Sequence, residues 1–222
     1  MENNENEGFS IDKENLKNET SSTLNEARES IKNMDFKNET EEAKGIVVRL
    51  LKNPIDEIKS VVNSDAFFKT AIFLIIIWTV AAFLNNTFWS GFNFRLTGNV
   101  PNVLRATVTP VIRIIVLSVI VLVMNRSSRR SLTTIISAVT IARIPTILAS
   151  VVSLLTIAHV DMLRLTGPFS AFASVLSTVL LYFAIKELYD EEDDNSFMKT
   201  FILIQAAFFA ARFLISFTGI HI

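Results

Sequence analysis

The chain has 222 residues, half of them hydrophobic, and a mean hydropathy of +0.41. Its 18 phenylalanines and long aliphatic runs exceed what a soluble core of this size needs. The net charge is only −1, and the lack of cysteine excludes disulfide bonds and thiolate metal sites. The acidic start MENNENEG lacks the basic residues and apolar run of a cleavable signal peptide, so we expect insertion through internal helices. These features indicate a multi-pass membrane protein.

Residues 1–43 form the most acidic part of the chain. They carry 12 acidic and 5 basic residues, a net charge of −7, and only scattered apolar side chains. Such a segment buries too little apolar surface to offset the entropy that is lost on ordering. We therefore predict a disordered acidic cytoplasmic tail with transient helix.

Residues 44–65 have a different pattern, because apolar residues recur every three to four positions with charged residues between them. The apolar positions are Val47, Leu51, Ile55, Ile58 and Val62. Asn53 and Pro54 can restart a helix, since asparagine caps helices and proline suits the first helical position. We predict an amphipathic juxtamembrane helix. Two interpretations are open: the segment lies on the cytoplasmic leaflet, or it packs against the base of the membrane domain.

Residues 66–222 are predicted to form an all-α integral membrane bundle of five transmembrane helices. About 20 apolar residues suffice to cross a hydrocarbon core of roughly 30 Å. The predicted spans are about 67–84, 107–124, 133–158, 168–185 and 198–220. Arg143 and Pro145 interrupt the third span, and proline breaks or kinks a helix. One kinked helix and a re-entrant pair are both compatible with this pattern.

The orientation follows from lysine and arginine near the ends of the spans. Ten such residues lie on the side of the N-terminus and three lie on the other side. By the positive-inside rule, the N-terminus is cytoplasmic and the C-terminus lies outside. A re-entrant third segment would instead bring the C-terminus to the cytoplasm.

Residues suited to soluble enzyme chemistry are scarce. The chain has two histidines, His159 and His221, and no metalloprotease, serine hydrolase or phosphate-loop motif. His159 and Asp161 are only two positions apart, but one histidine and one carboxylate do not make a metal site. We predict a non-enzymatic protein with no catalytic residues, cofactor or metal site.

Three arginines, Arg113, Arg143 and Arg212, lie inside apolar spans that contain no acidic residue. A charge at such a position costs about 2.5–3.5 kcal/mol on insertion scales, which makes it a functional hypothesis by default. At about 1.5 Å per residue, Arg143 lies roughly 18 Å from the cytoplasmic side, and Arg113 and Arg212 lie roughly 21 Å from it. We hypothesise an outward-leaning pocket for an anion or a lipid phosphate, with Asp161 near its mouth. The alternative is that each arginine separately reaches the interface or bonds to loop carbonyls.

The arrangement resembles the Yip1 domain family of five-span membrane proteins, in its prokaryotic form. The similar parts are the pre-membrane Asn53-Pro54-Ile55 segment, the third span AVTIARIPTIL and a charged loop before the apolar last helix. The DLYGPFW-like motif of eukaryotic members is missing, so their binding of small GTPases is not carried over. The resemblance implies a bacterial cell membrane, or an endoplasmic reticulum or Golgi membrane if the protein is eukaryotic.

Two functions are compatible with these features. The favoured hypothesis is a membrane-organising scaffold of the trafficking type, in which residues 1–65 engage a cytosolic protein partner or the leaflet. The alternative is a small transporter or a lipid- or anion-handling protein that uses the intramembrane arginines at the break beside Pro145. The expected partners are the lipid bilayer and a homo- or hetero-oligomeric subunit, and not nucleic acid.

Overall fold

Helices make up 93% of the residues that the computed structural model describes, which are 13–89, 96–124, 130–155, 163–189 and 193–216. These described residues contain no strand, which confirms the all-α class. The helices are α1 (Lys13–Lys32), α2 (Phe36–Lys52), α3 (Pro54–Val62), α4 (Phe68–Trp89), α5 (Leu96–Met124), α6 (Leu132–Ala142), α7 (Ile144–Ser153), α8 (Leu163–Tyr189) and α9 (Asp194–Ser216). A short 3₁₀ turn, Asp65–Phe67, precedes α4.

Four long helices within these ranges are apolar enough to cross a membrane. Their spanning parts are Asp65–Thr87, Val103–Met124, Thr166–Tyr189 and Asp194–Ile215. A fifth apolar segment consists of α6 and α7, which meet at a 51° bend. The chain is therefore a multi-pass membrane protein, as its composition predicts.

The α6–α7 pair crosses the same thickness as α4. At one end of α4, Thr134 Oγ1 donates a 2.6 Å hydrogen bond to Asp65 Oδ1. At the other end, Asn85 Nδ2 donates a 2.7 Å hydrogen bond to Ser153 Oγ. Asp65 and Asn85 are about 30 Å apart along a helix, whereas a re-entrant pair would return to its starting side. We therefore treat α6 and α7 as one broken span, which makes five crossings. The near face is the side of Asp65, and the far face is the side of Asn85.

The break lies at Arg143, between the end of α6 and the start of α7. Pro145 occupies the first turn of α7, where its lack of an N–H is tolerated. The next N–H, that of Thr146, donates a 3.2 Å hydrogen bond to Ser177 Oγ on α8. Ser177 is fully buried, so α8 satisfies inside the bundle a donor that the helix break exposes.

Helices α2 and α3 close the near face of the bundle. Ile46, Ile58 and Val61 are buried against the membrane domain. One helix ends at Lys52 and the next begins at Pro54, as the sequence indicates. Of the two open interpretations, the structure shows packing against the base of the domain. Contact of the opposite side of these helices with the leaflet stays a prediction.

Two polar contacts hold this base in place. Arg49 Nε and Nη2 donate hydrogen bonds of 2.8 and 3.0 Å to the Glu57 carboxylate, which joins α2 to α3 across their break. Thr70 Oγ1 donates a 2.9 Å bond to the buried Glu39, which joins α2 to α4.

Of the acidic segment 1–43, residues 1–12 lie outside the described residues, and residues 13–43 include α1 and the first half of α2; the disordered tail stays a prediction. Asp35 caps α2 by accepting hydrogen bonds from the N–H groups of Lys37 and Asn38. Helix α1 packs along α4 and α6 and covers an apolar cavity of about 430 Å³. The segment itself has little apolar surface, but the spans supply the apolar partner that the sequence argument left out.

Candidate functional site: an arginine cavity inside the bundle

Arg113, Arg143 and Arg212 line one cavity of about 620 Å³ between α4, α5, α7, α8 and α9. The arginines come from three different crossings, and the helix break places Arg143 at the start of α7. We call this space the arginine cavity. Its other lining residues are Trp78, Ile114, Thr146, Ser174, Thr178, Ile202, Gln205, Ala206, Phe208 and Phe209.

The arginine cavity lies at the middle of the membrane domain. Arg113 is about 15 Å from either end of its span, and Arg143 is at a similar depth within the broken span. Arg113 is thus deeper than the sequence suggested, because its span begins at Val103 rather than near Thr107. Arg212 lies near the far face, only about 5 Å from the end of its span. The cavity therefore runs from the middle of the membrane toward the far face.

Two hydrogen-bond donors in the arginine cavity are buried without a protein acceptor. They are Nε of Arg113 and Nε2 of Gln205. The ion pairs among the described residues join Lys44 to Glu41, Arg49 to Glu57 and Lys186 to Asp194, so none neutralises Arg113 or Arg143. Burying a donor of this kind costs folding free energy unless an acceptor forms a hydrogen bond with it. An anion in the cavity would supply that acceptor.

The charges of the three arginines add to one another instead of cancelling. Arg113 and Arg212 both act electrostatically against the positive charge of Arg143. The N-terminus of α7, the positive end of its helix dipole, begins at Arg143 on the same wall. Hydroxyl groups of Thr146, Ser174 and Thr178 add neutral polar groups, of which Thr178 Oγ1 already donates a 2.9 Å hydrogen bond to the Ser174 carbonyl and Thr146 Oγ1 lies 2.8 Å from Ser177 Oγ. This arrangement is suited to binding a small, multiply charged anion.

A second cavity adjoins the arginine cavity on the side of α4 and α5. It has a volume of about 370 Å³ and is lined by Ala82, Asn86, Arg105, Ala106, Thr109 and Pro110 together with Trp78 and Arg113. Trp78 and Arg113 thus line both cavities. The Trp78 ring is held in place, because its Nε1–H donates a 3.1 Å bond to Ser150 Oγ.

The structure brings the three predicted arginines together beside the break at Pro145. Asp161, which the sequence placed near the mouth of the site, lies outside the described residues, as does His159. Within the described ranges, no cluster of three or more histidine, aspartate or glutamate residues could hold a metal ion.

Sequence reasoning missed Gln205, Trp78 and Ser177. Gln205 could have been recognised from the sequence, because it is an amide in an otherwise apolar stretch of α9. Trp78 and Ser177 are uncharged residues whose place beside the cavity depends on how the helices pack.

The comparisons with known proteins add no functional assignment. No protein-family model, no curated protein and no solved structure matches this chain.

Proposed function

We propose that this membrane protein binds a phosphate-bearing anion in the arginine cavity and acts as a transporter or as a lipid- or anion-handling protein. The observation that carries the proposal is the meeting of three arginines and a helix break in one cavity that extends from mid-membrane depth toward the far face. Transporters commonly place anionic substrates near the bilayer midplane, at the N-termini of broken helices. This was the second of the two functions compatible with the sequence.

Energetics favours a functional explanation for these side chains. A charge at the centre of a span costs about 2.5–3.5 kcal/mol on insertion scales, and this bundle carries Arg113 and Arg143 at that level. A purely structural arginine would be expected to bond to carbonyls or carboxylates. Here a buried guanidinium nitrogen of Arg113 has no acceptor in the described protein. A phosphate monoester, with a charge of about −1.5 to −2, would neutralise most of the cluster.

The scaffold function remains a second candidate on the near face. Apolar side chains of α2 and α3 are exposed on the side away from the core, with Leu51 at 74% exposure and with Val48 and Ile55 also exposed. Exposed apolar residues beside lysines suit a membrane leaflet or a protein partner. A role like that of Yip1 proteins, in a cell membrane with a cytoplasmic N-terminus, would use this surface and would not require the arginine cavity.

The chain offers an internal reporter for the binding test. It has two tryptophans, so Trp89→Phe leaves Trp78, on the cavity wall, as the single tryptophan. The purified protein would be titrated separately with inorganic phosphate and with a short-chain phosphatidic acid, while Trp78 fluorescence is recorded. We expect a saturable change with at least one of the two ligands.

Charge-removing variants define where the ligand binds. Arg143→Gln should weaken binding about tenfold or more, because it removes a charge-assisted hydrogen bond worth about 1.5–3 kcal/mol. The matched control is Arg28→Gln, which removes one positive charge from the exposed side of α1. If neither ligand changes Trp78 fluorescence, or if Arg143→Gln binds as the parent does, the proposed function is wrong.

A further inference from the structure

The wall of the arginine cavity between α8 and α9 is open toward the outside of the bundle. Five lining residues on this side are themselves exposed: Ser174 and Thr178 on α8, and Ile202, Ala206 and Phe209 on α9. Ile202 is 58% exposed and Phe209 is 70% exposed, which residues sealed inside a bundle would not be. The cavity thus has a rim here, and this rim would face the acyl chains of a bilayer.

The opening exists because α8 and α9 pack closely only toward the near face. There, the Tyr182 ring contacts Phe197 and Phe201 at centroid distances of 5.0 and 5.2 Å. Farther along, α9 packs mainly against α5 and makes few contacts with α8. The aromatic contacts therefore close the part of the seam between α8 and α9 that lies toward the near face. The arginine cavity occupies the gap on the far-face side of these contacts.

Polar groups continue from this gap toward the arginines. Ser174 and Thr178 are one helical turn apart on α8, so both hydroxyls lie on the same side of that helix. Gln205, with its buried donor lacking an acceptor, lies across the cavity on α9. Thr178 Oγ1 donates to the Ser174 carbonyl, so a headgroup entering between the helices would meet the Ser174 hydroxyl and the Gln205 amide before it reached Arg113 and Arg143.

We propose that the gap between α8 and α9 is a lateral portal, through which a membrane lipid with a phosphate monoester headgroup enters the arginine cavity while its acyl chains stay in the bilayer. This inference rests on the proposed function and names its ligand. A monoester carries about −1.5 to −2 charges. It therefore matches a cluster of three guanidinium groups better than the single charge of a phosphodiester does. An opening onto the acyl chains admits a lipid without exposing those chains to water.

A free phosphate ion would need another route. The second cavity, lined by Arg105 and Thr109 and sharing Arg113 with the arginine cavity, lies toward the far face and could admit an ion from water. The two routes predict different effects of blocking the seam between α8 and α9, so one experiment separates them.

The test uses full-length Trp89→Phe protein in phosphatidylcholine vesicles. Brominated lipids quench tryptophan on contact, so small amounts of brominated phosphatidic acid or brominated phosphatidylcholine report which lipid reaches Trp78. We expect phosphatidic acid to quench Trp78 at about a tenfold lower mole fraction than phosphatidylcholine. The double variant Ser174→Phe/Thr178→Phe, which fills the portal, should abolish this difference.

A matched control places the same bulk next to the portal. Val175→Phe/Val179→Phe adds two rings to exposed positions of α8 that do not line the cavity, and it should keep the preference for phosphatidic acid. An unchanged thermal unfolding midpoint in both double variants shows that each has folded. Inorganic phosphate, measured by the same fluorescence, should still bind the blocked protein, but more weakly than the parent, because two hydroxyl groups of the cavity are gone, whereas the preference for phosphatidic acid should be lost altogether.

The possible outcomes distinguish a failure of the proposed portal from a failure of the proposed function. If the preference for phosphatidic acid survives in the blocked variant, the portal is wrong. If inorganic phosphate binds in an Arg143-dependent way and phosphatidic acid shows no preference, the ligand is a free ion that uses the second cavity. If neither ligand gives a signal that depends on Arg143, the proposed function fails, and the portal fails with it.

Discussion

The backbone N–H of Thr146 donates a 3.2 Å hydrogen bond to the side-chain oxygen of Ser177, and the two hydroxyl oxygens lie 2.8 Å apart. This contact joins the first turn of α7 to the middle of α8. Because Arg143 is at the start of α7, Ser177 acts through the helix break to position an arginine of the cavity.

Ser177→Ala should therefore destabilise the protein and weaken anion binding together. Loss of the acceptor leaves the Thr146 N–H unsatisfied in the interior, at a cost of about 1–3 kcal/mol. Thermal unfolding in detergent and the Trp78 titration measure the two effects. Ser118→Ala is the control, because the Ser118 hydroxyl is equally buried but has no hydrogen-bond partner in the described protein. Equal stability of the two variants would contradict this role of Ser177.

The bond between Arg49 and Glu57 should stabilise the near-face base. The bond to the Glu57 carboxylate raises the pKa of Arg49, whose guanidinium is charged at physiological pH even without this partner. Glu57→Gln should lower the free energy of unfolding by about 1–3 kcal/mol, because Glu57 is buried. Glu41→Gln breaks an exposed pair with Lys44 and should cost less than about 1 kcal/mol. A Glu57→Gln variant as stable as Glu41→Gln would show that the base does not depend on this bond.

Helix α1 and lipid should compete for the same groove. In the structure α1 lies against Ile72, Ile76 and Val80 of α4, at the depth of the hydrocarbon core. The exposed side of α1 carries charges, at Lys17, Glu19, Glu26, Arg28, Glu29 and Lys32. Holding such charges in lipid costs about 2.5–3.5 kcal/mol for each lysine or arginine at the centre. We therefore expect α1 to leave this groove in a bilayer and acyl chains to fill it.

Cysteine labelling checks this exchange directly, since the chain has no cysteine of its own. In vesicles, aqueous iodide should quench a fluorophore attached to Leu24→Cys. Lipid-borne quenchers should instead quench a fluorophore attached to Ile76→Cys. Protection of the Leu24 position from iodide in vesicles would mean that α1 keeps its place.

If the chain crosses the membrane five times, we expect its two ends to lie on opposite sides. In sealed vesicles of uniform orientation, a protease added outside should remove a tag at one end only. Cleavage of tags at both ends from the same side would show that α6 and α7 re-enter, despite the bonds of Thr134 and Ser153 to opposite ends of α4.

Hydropathy was enough to predict the fold class and the presence of several helices that can cross a membrane. Long apolar segments have few alternatives in a membrane, because backbone hydrogen bonds must be satisfied within the helix. Pro145 likewise marked the break in the third span, since proline has no N–H to donate. These features depend on local sequence alone.

The remaining features depend on contacts between distant parts of the chain. The place of α1 beside α4 and α6, for example, cannot be derived from the composition of residues 1–43. The depth of Arg113 was wrong by several ångströms because polar residues at the start of its span hid the true beginning at Val103. The sequence identified the arginines as charges inside apolar spans. Their convergence on one cavity follows from helix packing.

Native mass spectrometry of protein purified from membranes in mild detergent tests the central claim most directly. It resolves individual bound molecules after loosely held lipids are removed by collisional activation. We predict that the parent protein and Arg28→Gln each retain one phosphate-bearing adduct, and that Arg143→Gln and Arg113→Gln lose it. Equal retention of that adduct by all four proteins, or no such adduct on the parent, would contradict an anion site among these arginines.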